Sequence, residues 1–402
     1  MKPVLAAGAL AFALAAPAVA GPDPADWDAV LAEARGQTVY WNAWGGDPRV
    51  NAFIEWVGDL AAARHGVRLE HVKLADTSAA VTRVLSEKSA GRDTGGAIDL
   101  IWINGANFAA MKENDLLFGG FAEALPNWRL LDPDANPALV TDFTVPIEGY
   151  ESPWALAQLV FEHDADRLPD PPRTIRALAD WIAQNPGRFT YPQPPDYLGT
   201  TFLKQVLLEL APDAGALSAP VDEAEYARQT APLWDWLDEV SPHLWRGGAA
   251  YPANEPALAQ LLADDEIEIG FAFNPGRASA AIAAGELADT VRTFVLDGGT
   301  IGNASFVAIP YNASNIAGAL VIANLLLEPE VQARAQDPAV LGFQTVLAMD
   351  RLEPADAERF RALELGIATL PPEALGPVLP EPHPSWMTRI AADWLGRYGV
   401  AQ

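Results

Sequence analysis

The sequence predicts an α/β fold in two lobes, and three observations carry that expectation. Strand-like and helix-like segments alternate three times within about 80 residues near the N-terminus, the pattern of a parallel sheet flanked by helices. A Pro- and Asp-rich stretch, 126–150, interrupts the alternation, and a second α/β set follows it. With 402 residues the chain is also long enough to spread its core over two lobes.

Taken in order, "GPDPADWDAVLAEARGQ" reads as an acid-capped helix stopped at Gly36. "TVYWNAW" reads as a buried strand, Pro48 to His65 as an amphipathic helix, and "VRLEHVKL" as an alternating strand. Asp76 or Thr77 is placed to cap the helix "SAAVTRVLSEKSAG". "AIDLIWIN" is apolar throughout, as a strand buried on both faces should be, and "GANFAAMKENDLL" reads as the next helix. "ESPWALAQLVFEHD" predicts one strand opening the second set. Helices follow over "TIRALADWIAQNP", "TTFLKQVLLEL", "AEYARQTAPLWDWLDEV" and "RASAAIAAG", with a strand at "IEIGFAF". "TVRTFVL" and "NASFVAIP" read as strands joined by the turn "DGGTIG". The helices "NIAGALVIANLLL", "EPEVQARAQ" and "SWMTRIAADWLGRYG" close the chain.

Residues 1–20, "MKPVLAAGALAFALAAPAVA", have the layout of a cleavable secretory signal: a Lys near the start, a short apolar span, then Ala-Val-Ala. The mature protein is therefore expected to be exported, to a bacterial periplasm or a cell exterior. Cysteine is absent, which removes disulfides, thiol catalysis and thiolate metal sites. Fifty-three acids against 26 Lys and Arg give a formal net charge of −27, a field that repels nucleic acid and anionic membranes and favours cations.

Catalytic signatures are missing. The five histidines show no HExxH or close metal-ligand spacing, no G-x-S-x-G elbow occurs, and "GRDTGG" lacks the Lys-Ser/Thr of a phosphate-binding loop. No metal, cofactor or covalent chemistry is expected. What stands out is the placing of aromatic and small polar residues at strand ends. "WNAWGGDP" puts Trp44 beside Gly45 and Gly46, where the backbone admits close approach, followed by Asp47. Asp47 is equally suited to capping the helix that starts at Pro48. Asn104 and Asn107 follow the strand "AIDLIWIN" on the same expected rim, since ligands of such sheets bind beyond the carboxyl ends of strands. Tyr150, Glu151 and Trp154 sit where the chain should leave the first lobe. Asp196, Tyr197 and Thr200 lie in the proline-stiffened loop "TYPQPPDYLGTT", Asn274 follows "IEIGFAF", and Asn303 starts the return strand. Flat aromatic walls with a few convergent polar groups suit an interlobe pocket. Trp41 and Trp154 also lie inside strand-like runs, where burial in the core competes with a role in binding.

The blocks "GQTVYWNAWGGD", "TGGAIDLIWINGANF", "LPNW", "ESPWALAQL", "TYPQPPDYLGTTFL", "APLWDWL", "FNPG", "IGNASFVAIP" and "LPEPHPSW" occur in an order that resembles the YnjB-type substrate-binding proteins of bacterial ABC transporters. The resemblance runs from about residue 35 to the C-terminus. It implies a type II periplasmic-binding-protein-like fold, two α/β lobes with a hinge and an interlobe ligand cleft, and a monomer that binds a small-molecule solute. The partners it implies are a permease in the inner membrane and its cytoplasmic ATPase. Residues 21–149 are expected to form the first lobe and 150–302 the second, with the chain returning to the first from about 303 in part of 303–402. Segments 145–152 and 298–304 are the hinge candidates. A thiamine-type solute is implied, and the residues agree: a flat cation suits Trp44, Tyr150 and Tyr197 with Asp47, Glu151 or Asp196. Polyamines and sugars are alternatives, a ferric ion is disfavoured because no Tyr-Tyr pair occurs, and a secreted carbohydrate-active enzyme is the rival of another class.

Overall fold

The structure is a computed structural model that describes residues 21–371 and 374–400. The expected signal sequence, 1–20, lies outside the described residues. Eleven strands are formed among them: β1 (Thr38–Trp44), β2 (Arg68–Leu74), β3 (Leu100–Ile103), β4 (Thr141–Asp142), β5 (Val145–Pro146), β6 (Glu151–Gln158), β7 (Val160–Asp164), β8 (Ile269–Ala272), β9 (Val291–Phe294), β10 (Thr300–Ala308) and β11 (Val378–Leu379). The first lobe is a six-stranded sheet in the order β2-β1-β3-β10-β6, with β11 alongside the start of β10. A three-stranded antiparallel sheet, β8-β7-β9, forms the heart of the second.

β1, β2 and β3 are parallel, as their crossover helices require. β10 runs antiparallel to β3 and β6, so the sheet is mixed and not wholly parallel as the sequence suggested. The reason is topological: β10 arrives directly from the second lobe, with no helix to turn it round. Alternate residues then face two cores. Val39, Trp41 and Ala43 point to one, with the helices Pro48–His65 and Ile316–Leu326. Ile101, Ile103, Ala304, Phe306 and Ala308 point to the other, with Phe108 and Met111. Asp99 fixes the edge of this layer: its buried carboxylate accepts from the N–H of Tyr40, Ser314 and Asn315, at 2.8–3.0 Å. The Asp99 N–H in turn donates to the Tyr40 carbonyl at 3.2 Å, and β3 begins at the next residue, Leu100.

The run "ESPWALAQLVFEHD" is two strands in two sheets. β6 pairs with β10 in the first lobe, and β7 joins β8 and β9 in the second, with Leu159 between them. Residues 151–158, expected in the second lobe, therefore belong to the first sheet; hydrophobicity alone carries no mark of a change of sheet. The chain passes again between Leu296 of the second core and β10, and a third time between Phe360 and Ala368. The last helix, Pro384–Tyr398, sinks Trp386, Ile390 and Trp394 into the second core. Among the elements that escaped the sequence are the hairpin β4–β5 inside the expected loop 126–150, the helix Pro354–Arg361 and the short strand β11.

Candidate functional site

A cleft of about 230 Å³ opens between the two lobes. Trp44, Gly46, Asp47, Pro48 and Arg49 line it from the first, at the carboxyl end of β1. Glu255, Pro256 and Gln260 of the helix Glu255–Ala263 line it from the second, with Arg277 and Glu286. The two tryptophans of "WNAWGGDP" have separate fates. Trp41 is fully buried in the core, while Trp44 at the strand end is partly exposed on the cleft wall. Gly46 is required because the Trp44 indole lies over it: a Cβ there would overlap the ring. Gly45 is held against Lys73 in the same way. Gly46→Val is expected to push the indole off the wall, weakening solute binding while circular dichroism stays unchanged; a Gly46→Val variant that binds like the parent would show that the indole's placement does not matter.

Asp47 lines the cleft and takes the capping role, one of the two that the sequence allowed. It caps the helix Pro48–His65, accepting from the Arg49 N–H at 2.7 Å, and it also grips the Arg49 guanidinium at 3.0 Å. Across the cleft, Arg277 forms a bidentate pair with Glu162, which is fully buried on β7. Burial, with Arg49 nearby, pushes the Arg277 pKa down to about 10. The Glu255 carboxyl is pushed up to about 8 by burial, helped by Asp196 and Asp47. Asp196 is pushed up to about 6, by burial first and Asp76 last, against the Gly199 and Leu198 N–H groups. So an acidic end (Asp196, Glu255) adjoins a guanidinium end (Arg49, Arg277).

Deeper between the lobes lies a buried polar cluster. Lys204, fully buried on the helix Tyr197–Leu210, donates to Glu381 at 2.5 Å, and its ammonium stands 4.5 Å from the centre of the Phe143 ring. Asn303 donates to Glu381 at 2.9 Å and to the Tyr197 hydroxyl at 2.8 Å. Asp142 accepts from the Gly105 N–H at 2.6 Å, and burial, with Glu381, raises its pKa well above the carboxylate range. The hairpin β4–β5 thereby brings Asp142 and Phe143 of the first lobe onto Lys204 of the second.

The remaining candidates divide. Trp154 is core: it packs on Trp102, Trp41 and Phe53 at centroid distances of 4.8, 6.2 and 6.2 Å, because β6 joins the first sheet beside β10 and faces that lobe's core. Glu151 is fully buried on the same face as Ala308, and burial, with Asp142, holds its carboxyl well above the usual range. Tyr150 packs on Gly119 beneath Lys112. Neither of these two is on the cleft wall. Asn104 donates to the Ala304 carbonyl, Asn274 to that of Leu341, and Thr200 to that of Asp196, so these side chains hold strand ends and a helix start. Asn107 follows Asn104 at the opening of the helix Ala106–Glu113, its N–H on the Asn104 carbonyl. Tyr197 and Asn303 belong to the buried cluster. Arg49, Glu255, Arg277, Lys204 and Glu381 were missed. A lone Lys within the apolar helix "TTFLKQVLLEL" was the signal for the inner cluster; Arg277 directly after "FNPG" was the signal for the cleft.

The model of the bacterial extracellular solute-binding protein family matches residues 55–347. The chain belongs to that family. It is 44% identical over 375 residues to protein YnjB of Escherichia coli (strain K12), covering 93% of this chain and 94% of that one. Its fold is shared with the periplasmic binding protein AfuA of Actinobacillus pleuropneumoniae, solved with fructose-6-phosphate (TM-score 0.62, 14% identity, 91% of this chain and 99% of that chain). The spermidine/putrescine transporter substrate-binding protein PotD of Streptococcus pneumoniae is a further match (TM-score 0.58, 15% identity, 90% and 98%). The fold of this solute-binding protein is thus the α/β, type II periplasmic-binding-protein architecture. The family binds and does not convert, which sets aside the carbohydrate-active enzyme.

Proposed function

We propose that this protein is the periplasmic receptor of an ABC importer, taking a small, flat, cationic solute of the thiamine type into the cleft at Trp44 and passing it to an inner-membrane permease. The observation that carries this reading is a cleft walled from both lobes, with an indole on one side and an acid, Glu255, on the other. At about 230 Å³ it falls below the roughly 300–1,000 Å³ of drug-sized pockets, so it favours a small guest. A cation over an indole gains about 0.5–2 kcal/mol, and a micromolar complex needs about −8 kcal/mol, so burial and Glu255 must supply the rest. Closure then follows from contacts that the solute makes to both lobes at once.

A thermal-shift screen of thiamine, polyamines and neutral sugars tests this. A solute at 100 times its dissociation constant adds about 2.7 kcal/mol to stability. Thiamine or another flat cation is expected to raise the melting temperature, less so at high salt, and Trp44→Ala is expected to lower its affinity about 10–100-fold without unfolding the chain. A neutral sugar that binds with no salt dependence, while the cations do nothing, overturns the cationic reading. A response that survives Trp44→Ala unchanged moves the site elsewhere.

A further inference from the structure

The other end of the cleft carries two guanidiniums from opposite lobes. Arg49 is the second residue of the helix Pro48–His65, and Arg277 is the first of the helix Arg277–Ala283. Each is oriented by its own carboxylate on the same two atoms: Asp47 takes Nε and Nη2 of Arg49, and Glu162 takes Nε and Nη2 of Arg277. The Nη1 edge is left over in both pairs. In Arg49 that atom is shielded from solvent and has no hydrogen-bond partner among the described residues. Arg277 is itself only 8% exposed and lines the cleft. A buried guanidinium N–H without an acceptor is destabilising, the more so because it is charged. Arg277, on the opposite wall, is close enough for the charge of Arg49 to disfavour its own. The arrangement is stabilised if an anion lies between them, and a planar fork already fixed by a carboxylate loses little freedom in meeting a second one.

We propose that the Arg49–Arg277 end of the cleft seats an anionic group of the solute, a carboxylate or a phosphate, so that the molecule taken up is amphoteric. This rests on the receptor reading of the same cleft and adds a polarity to it. The anion lies against Arg49 and Arg277, and the cationic or aromatic part lies against Trp44 and Glu255. Plain thiamine, polyamines and neutral sugars then fill only part of the site. Because the cation end and the anion end sit on both lobes, an amphoteric solute crosslinks the closed form at two places.

The probes are fragments: orthophosphate, acetate and tetramethylammonium, each as melting curves against chloride at equal ionic strength. Phosphate stabilises folded proteins in general, so the readout is the difference between the parent and Arg49→Gln. The expected result is a rise with phosphate or acetate that is mostly lost in Arg49→Gln and partly kept in Arg49→Lys. A larger response to phosphate identifies an ester, and a larger response to acetate a carboxylate. Equal responses in the parent and Arg49→Gln, or none in either, overturn the anion seat. Tetramethylammonium reports separately on the Trp44–Glu255 end: a cation response without an anion response leaves the receptor reading standing alone, and the absence of both removes both. Circular dichroism of Arg49→Gln shows whether the helix it starts is intact, and Arg49→Lys carries the test if it is not.

Discussion

Lys204→Met is expected to cost about 3–5 kcal/mol of stability, the scale for breaking a buried ion pair on one side only. Lys204 is fully buried, and Glu381 at 2.5 Å is its only direct ionic partner among the described residues. Without the ammonium, Glu381 keeps a single donor, Asn303, and lies near the raised carboxyl of Asp142. Burial lowers the Lys204 pKa while Glu381 and Asp142 raise it, so these acids offset part of the cost of burying the ammonium. The double variant Lys204→Met with Glu381→Gln removes both charges and keeps an acceptor for Asn303. It should recover much of the loss. Urea denaturation measures both; a single variant that costs less than about 1 kcal/mol would mean the pair is already solvated. The effect concerns function as well as stability, since Lys204 is where the Phe143 ring of the first lobe meets the second.

Raising the pH should open the solute-free cleft. Asp196 and Glu255 on the second lobe lie within electrostatic reach of Asp76 and Asp47 on the first, and both bind protons more tightly in this arrangement of the lobes than in water. The sign follows from linkage. A carboxyl whose pKa is raised on closing stabilises the closed form fully below its ordinary value and loses that contribution as the pH rises through the raised one. For Asp196 the window runs from 3.8 to about 6, and for Glu255 from 4.5 to about 8. Small-angle scattering should therefore show the radius of gyration growing between about pH 4 and about pH 8, with Glu255→Gln flattening the upper part. A bound cation should suppress the growth and release a proton below about pH 8, which calorimetry in buffers of different ionisation enthalpy detects. A radius that stays constant across the window, or that changes equally in Glu255→Gln, would show that these acids do not hold the lobes apart.

Legibility in the sequence differed from residue to residue. The helix Pro48–His65 was bounded correctly because its signals are local: Asp47 as cap, Pro48 in the first turn, and Gly66 at φ 70° as stop. Trp44 was separable from Trp41 for a local reason too, since two glycines after a strand end make a backbone a ligand can approach. Trp154 was not separable from a site residue, because its burial depends on which sheet β6 joins, and that is decided by β10, about 150 residues away. Glu151 and Tyr150 went astray with it. Arg277 depends on Glu162, 115 residues distant, and Lys204 on Glu381, 177 residues distant. No spacing rule spans such separations.

By itself, then, the sequence determined the alternation of strands and helices, the absence of thiol chemistry and the rim at Trp44, all set by composition, periodicity and short-range stereochemistry. Only the tertiary structure decided that "ESPWALAQLVFEHD" divides between two sheets, that the last helix belongs to the second lobe, and which charges meet across the cleft. The physical reason is that burial and pairing depend on neighbours brought in from far along the chain. A carboxylate or a guanidinium carries no mark, in its own segment, of the partner that will hold it.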